Sequence, residues 1–230
     1  MITIEYLGHS SFKIKDSNNT ALIIDPFSPA STGLKWSKQE AQILAITHGH
    51  DDHSYVDGVT GFEGVPLSAG RVNENAFLVY GPGEYEINNI QIMGIPSFHD
   101  SKKGEERGQN TIYLITIEGV TIVHLGDLGH DLPDNLLDEL SSANILMLPV
   151  GGVYTINHTV AEKILNDISP NIVVPIHYKV DGMTDTFNEV DVVDKFLANV
   201  DSENLSKESK LKIKGASSFE QDKTIIWMPE

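Results

Sequence analysis

His48-Gly49-His50-Asp51-Asp52-His53 places four candidate metal ligands within six residues, directly after the apolar run Ile43-Leu44-Ala45-Ile46-Thr47. The apolar run reads as a buried strand, and imidazole and carboxylate groups crowded at its end outline a metal site. Side chains two apart on extended chain project from one face, so His48 and His50 can grip one ion. Asp52 and His53, past the turn, can reach a second. The spacing therefore points to two metals.

The same placement recurs along the chain. His99 follows Ile92-Met93-Gly94-Ile95-Pro96-Ser97-Phe98, Asp127 ends Thr121-Ile122-Val123-His124-Leu125-Gly126, and His177 ends Ile172-Val173-Val174-Pro175-Ile176. A polar group at the tail of a buried strand is costly to leave unpaired, so the repetition favours one common site. His130 and His158 read as ordinary surface or core residues, and His124 as buried structure. With no cysteine in the chain, thiolate ligands, thiol nucleophiles and disulfides are excluded, and a metal must be held by nitrogen and oxygen. The glycines of Gly81-Pro82-Gly83 and Gly151-Gly152 read as turns and form no nucleotide-binding fingerprint.

At 230 residues with 40% hydrophobic content, the chain has room for one sizeable core, and residues 1–230 read as a single domain. Short apolar runs dominate the first two thirds, at 2–7, 11–15, 21–25, 42–47, 77–80, 90–95, 111–117 and 121–125. Helical patterns follow at Pro133–Ser141, His158–Ile168 and Val190–Val200, interleaved with strand-like Asn144–Pro149 and Asn171–Ile176. Asp201–Lys214 reads as a polar surface loop before a last strand at Lys223–Trp227. No run approaches the roughly 18 apolar residues of a membrane span, and Met1–Leu7 lacks the basic start of a leader, so the expectation is a soluble, cytoplasmic protein without a membrane partner. The formal charge of 16 − 33 = −17 disfavours nucleic acid, whose binding relies on neutralising phosphates. A homo-oligomer is left open.

His48-x-His50-x-Asp52-His53, then His99, Asp127 and His177 in that order, resemble the motif series of the metallo-β-lactamase superfamily. Gly8-His9-Ser10-Ser11-Phe12, Ile24-Asp25-Pro26-Phe27, Gly83-Glu84-Tyr85-Glu86, Arg107-Gly108-Gln109-Asn110-Thr111 and His124-Leu125-Gly126-Asp127 are similar to the compact metal-dependent hydrolases that include L-ascorbate-6-phosphate lactonase. The resemblance implies an α/β fold of the α+β kind, a four-layer αββα sandwich of two mixed sheets flanked by helices. It implies that His48, His50 and His99 bind one ion, Asp52, His53 and His177 the other, and that Asp127 bridges both. Zinc is the default metal, with manganese and iron(II) as alternatives. Flavodiiron oxidases of this fold carry Glu where His50 stands, and true β-lactamases lack the aspartate that Asp127 supplies, so neither activity is expected.

The reaction so implied is hydrolysis by a metal-bridging hydroxide, since two ions sharing a water lower its pKa toward about 7. Asp127 would orient the nucleophile, and Asp52 or His9 would serve the leaving group as proton donor. Asp25 would hold a ligand imidazole in its tautomer. Arg107, Asn110, Tyr154 and Lys179, on loops beside candidate ligands, would contact a small substrate, with Arg107 and Lys179 offering anion contacts. The expected substrate is a small molecule with an ester, lactone, amide or phosphoester bond. A phosphodiesterase or nuclease of the same fold, and a non-catalytic metal-binding regulator, are the competing readings.

Overall fold

A computed structural model describes residues 1–200, 204–220 and 223–229. Strands β1 (Ile2–Gly8), β2 (Ser11–Lys15) and β3 (Ala21–Ile24) form an antiparallel meander, followed by the one-turn helix α1 (Pro29–Thr32). β4 (Gln39–Glu40) pairs with β6 (Val59–Thr60) as a small ribbon, and between them lies the buried strand β5 (Ile43–Ile46). β7 (Phe77–Tyr80), β8 (Gly83–Ile87), β9 (Ile90–Phe98), β10 (Gln109–Ile117) and β11 (Val120–His124) come next. Helix α2 (Asp134–Leu140), β12 (Ile145–Pro149), helix α3 (His158–Ile168), β13 (Ile172–Ile176) and helix α4 (Asp194–Leu197) alternate, and β14 (Leu205–Ser206), β15 (Lys210–Ile213) and β16 (Ile225–Trp227) complete the series. Two mixed sheets result, in the orders β15-β1-β2-β3-β5-β7 and β14-β16-β13-β12-β11-β10-β9-β8.

Near-continuous apolar strands arise because each face of a central strand meets a different core. Leu22, Ile24, Ile43 and Ala45 point between the sheets, where they join Ile115, Ile122, Ile145, Met147, Val174 and Ile176 from the other side. Their neighbours Ile23, Leu44 and Ile46 face outward into a second cluster with Val59 and Phe62. On the eight-stranded sheet, Val123, Leu146 and Val173 face the helices. α3 supplies Ala161, Ile164, Leu165 and Ile168 to that cluster at helical spacing, and Asn157 caps it by accepting the N–H groups of Thr159 and Val160. The αββα plan is thus present, with the cover over the six-stranded sheet built mostly of irregular chain around residues 56–72.

Several elements differ from the sequence reading. Of the helix expected at Val190–Val200, only Asp194–Leu197 forms, because Asp191 is held as loop by its N–H to Gly151 O and its carbonyl to Lys179 N–H. The loop expected at Asp201–Lys214 contains two strands; its first three residues lie outside the described ones. Within it Lys210-Leu211-Lys212-Ile213 alternates with period two, and β15 pairs antiparallel with β1, Ile2 opposite Ile213, closing that edge. β8 lies in a stretch read only as turn and motif.

Ile145 is fully buried between the sheets, so Ile145→Ala should lower the unfolding free energy by about 2–5 kcal/mol with little change in the urea m-value. Equilibrium urea unfolding followed by circular dichroism measures it.

Candidate metal centre

Strand direction puts the ligands together. β1, β3 and β5 run the same way in the six-stranded sheet, as do β9, β11, β12 and β13 in the eight-stranded one. Polar residues placed after these strands therefore meet at carboxyl ends, where open α/β sheets build their sites. His9 stands at the β1–β2 turn, His48, His50, Asp52 and His53 after β5, His99 after β9, Asp127 after β11 and His177 after β13.

Asp127 is the centre of the arrangement. Its Oδ2 lies 3.1 Å from His177 Nε2, 3.2 Å from His99 Nε2 and 3.7 Å from His48 Nε2, and its Oδ1 lies 3.2 Å from His53 Nε2. Among the described residues, donor atoms fall into three sets, within each of which all atoms lie within 4.8 Å of one another: His48, His50 and His99; His48, His53 and Asp127; and His9, Asp52, His53 and His177. His48 Nε2, His53 Nε2 and Asp127 Oδ1 are buried without a hydrogen-bond partner. Buried polar atoms left so cost about 1–3 kcal/mol each, and a neutral-imidazole and carboxylate donor set of this kind suits a divalent ion of the zinc, manganese or iron type. The residues present therefore fit a metal.

The surroundings hold the ligands in place. Asp25, fully buried, accepts the Thr47 N–H at 2.8 Å, the Thr47 hydroxyl at 2.7 Å and His53 Nδ1–H at 2.9 Å. The Thr47 oxygen in turn accepts His48 Nδ1–H at 3.0 Å. Both imidazoles thereby turn Nε2 inward, as ligand histidines require. Asn110 accepts the Asp127 N–H at 3.0 Å and donates to Ser97 Oγ and Leu125 O. Its amide is fully engaged and does not border the cavity, so the expected substrate contact at Asn110 is replaced by a brace on Asp127. His124 donates to Ser10 O at 2.9 Å and accepts the Gly126 N–H at 3.0 Å, tying the His9 turn to the Asp127 loop. Gly126 has φ +56°, and a Cβ there would sit 2.4 Å from Asn110 Oδ1.

Burial and charge set the protonation states. Burial, aided by the neighbouring His177, lowers the His9 pKa to about 4, and burial with the nearby His53 lowers that of His48 to about 3. Burial likewise works against charge on His53, but the Asp127 and Asp52 carboxylates outweigh it and raise its pKa well above the ordinary value. His99 is raised, against its burial, by its hydrogen bond to Asp127. Asp127 itself resists the upward push of burial because His177 and His53 hold it ionised.

A cavity of about 290 Å³ opens onto the cluster, lined by His50, Asp52, His99, Asp127 and His177 on one side and by Glu106, Arg107, Tyr154, Thr186 and Phe187 on the other. The Arg107 guanidinium lies 5.5 Å from the Tyr154 ring centre, a cation–π spacing, and the Tyr154 hydroxyl donates to Thr186 O. Lys179 does not reach this space; its ammonium donates to Asn188 Oδ1 at 2.6 Å, which removes it from the expected substrate contacts. His9 is buried beside the cluster and also does not border the cavity.

Sequence reasoning passed over Asp100, Thr47 and Phe187. Asp100 accepts four backbone N–H groups, from Lys102, Gly104, Glu106 and Arg107, at 2.8–3.0 Å. Burial pushes its pKa up, but these bonds prevail and hold it at about 2. An aspartate opening a Ser-Lys-Lys-Gly stretch was the available signal, since such side chains organise turns. His130 and His158 stand outside the donor sets, as expected.

Residues 3–177 match the family described as beta-lactamase superfamily domain, and a Thermococcus onnurineus protein named UPF0173 metal-dependent hydrolase is 33% identical over 196 residues, covering 77% of this chain and 85% of the relative. This chain belongs to that superfamily, among its metal-dependent hydrolases. The fold agrees: a Thermotoga maritima structure described as of the metallo-beta-lactamase superfamily overlays with a TM-score of 0.71 at 23% identity, covering 100% of both chains. Igni18 from Ignicoccus hospitalis, described as a novel metallo hydrolase, overlays with a TM-score of 0.62 at 22% identity over 87% of this chain and 91% of that one. In a hydrolase of this superfamily the carboxyl-end cluster is the place for a metal.

Two outcomes follow for the metal-dependent hydrolase. Gly126→Ala should weaken metal binding about 10- to 100-fold by displacing the Asn110–Asp127 brace, read by competition with a chromogenic chelator. Because His53 and His99 hold protons above their ordinary range in the metal-free state, metal binding should expel protons, and affinity should fall as pH drops through the raised pKa values of these two groups, above the ~6.5 of free imidazole. Proton release on adding Zn2+ to weakly buffered metal-free protein checks the sign; proton uptake would contradict it.

Proposed function

We propose that this hydrolase holds two divalent ions and cleaves an ester, lactone, amide or phosphoester bond in a small anionic substrate. The observation that carries the reading is the position of Asp127: one carboxylate lies among ligands of both sets, with His48, His99 and His177 on Oδ2 and His53 on Oδ1, while lining a cavity that Arg107 also lines. His48, His50 and His99 are the residues to hold one ion, Asp52, His53 and His177 the other, with Asp127 shared. Zinc is the metal favoured by the donor set, manganese and iron(II) being accommodated by the same atoms. When bound, such ions supply Lewis acidity and an activated water at neutral pH.

The chain's own residues do the rest. Arg107 offers a planar cation to a carboxylate or phosphate oxygen, and stacking on Tyr154 fixes where it is presented. Tyr154 and Phe187 form an aromatic wall that displaces water from the substrate. Asp52 borders the cavity and is held ionised, against its burial, by His53 and His9, the state a carboxylate needs to hold a metal ion. A cavity that opens onto the ligands favours turnover over a purely structural metal site, which would be closed.

Metal analysis combined with chromogenic esters, lactones and phosphodiesters tests this. Metal-replete protein should carry two ions per chain, and Asp127→Ala should lose both turnover and metal while keeping its sheet structure by circular dichroism. Fewer than two ions, or full turnover in that variant, contradicts the two-ion reading. Arg107→Ala should raise KM for an anionic substrate about 10- to 100-fold, the effect of a charged hydrogen bond worth about 1.5–3 kcal/mol, and leave KM for a neutral ester within about twofold. An equal effect on both substrates removes Arg107 from anion recognition.

A further inference from the structure

We propose that His9 is itself a ligand of the second ion, so that the set is His9, Asp52, His53 and His177, with Asp127 shared. This rests on the two-ion reading and extends it. One donor atom from each of these four residues lies within 4.8 Å of all the others. Ligands about 2.0–2.1 Å from a common ion stand about 3.4 Å apart in a tetrahedron and about 4.2 Å apart when opposed. His9 Nε2 lies 3.3 Å from Asp52 Oδ2, and His53 Nε2 lies 3.7 Å from the same oxygen. These are spacings of donors gathered about one point.

Apart from His48 and His53, whose Nδ1 is held and Nε2 free, the buried histidines sort into two kinds by their bonding. His124, a structural residue, has both ring nitrogens engaged, one to Ser10 O and one to the Gly126 N–H. His99 and His177 turn Nε2 to the Asp127 carboxylate and leave Nδ1 buried without a partner. His9 follows the second kind, with Nε2 on Asp52 and Nδ1 unpartnered. Its ring packs against those of His177 at 4.4 Å and His53 at 5.1 Å between centroids.

Position separates a ligand from a proton donor. Phe187, which lines the cavity, packs edge-on against His9 at 5.2 Å, and His9 does not border the cavity. A group that gives a proton to the leaving atom needs contact with substrate there; a ligand needs contact only with the ion. The backbone is arranged for that inward aim. His9 sits at φ +55°, a conformation costly for a side-chain-bearing residue unless the surroundings impose it, and its carbonyl is fixed by the Tyr6 hydroxyl at 3.1 Å and the His177 N–H at 3.4 Å.

Protein carrying isotopically labelled histidine and loaded with spin-½ cadmium provides the direct test. One-bond cadmium–nitrogen coupling is expected at His9 as well as at His53 and His177. Coupling at His53 and His177 but not at His9 overturns the assignment and leaves the two-ion reading standing, whereas its absence from all three removes both. His9→Gln keeps an N–H donor for Asp52 and offers no imidazole; titration with Zn2+ should show one site losing at least tenfold in affinity and the other unchanged. Unchanged affinity at both sites in a folded His9→Gln protein would make His9 a positioning residue for Asp52, against the proposal.

Discussion

The pairing of the Asp127 carboxylate with the surrounding imidazoles governs everything else in this molecule. An ionised carboxylate taken out of water is costly unless it is paired and hydrogen-bonded. Here the pairing comes from histidines delivered by three separate strand ends, after β5, β9 and β13. The two sheets must therefore face each other in one relative register for the charge to be satisfied at all. Ser97, Asn110, Leu125 and Gly126 lock the peptide of Asp127, and His124 connects that lock to the turn at His9.

Backbone strain is collected at the same place. His9, Asp25 and His177 all have φ between +48° and +55°, a region that non-glycine residues visit rarely. Each follows or terminates a strand, and the left-handed residue turns the chain sharply enough to throw a side chain inward just where the ladder ends. The inter-sheet core of Ile, Val and Leu side chains holds the strand ends rigid and sustains this strain.

Most of the architecture was legible because a chain of this type writes its central strands as apolar runs, such as Ala21–Ile24 and Ile145–Pro149. The ligand residues were legible for the same reason: a histidine at the end of such a run has no cheap alternative to a polar partner. Peripheral elements were harder. β15 reads Lys-Leu-Lys-Ile, whose period-two alternation was masked by the charged residues around it, and the Val190–Val200 pattern yields to loop hydrogen bonds that no periodicity reports. The roles of Asn110 and Lys179 depend on which partner lies within reach, Asp127 for one and Asn188 for the other, and spacing along the chain carries no such information.

The four N–H bonds that Asp100 collects have a consequence for how such a chain can diversify. Residues 101–107 owe their shape to one carboxylate anchored beside His99, not to the sequence of their own side chains, which are mostly exposed. Exchanging Glu106 or Arg107, which line the cavity, therefore alters what that wall presents and leaves the backbone path intact. The loop wall of the cavity can thus vary while His99, next to the anchoring carboxylate in the chain, keeps its place.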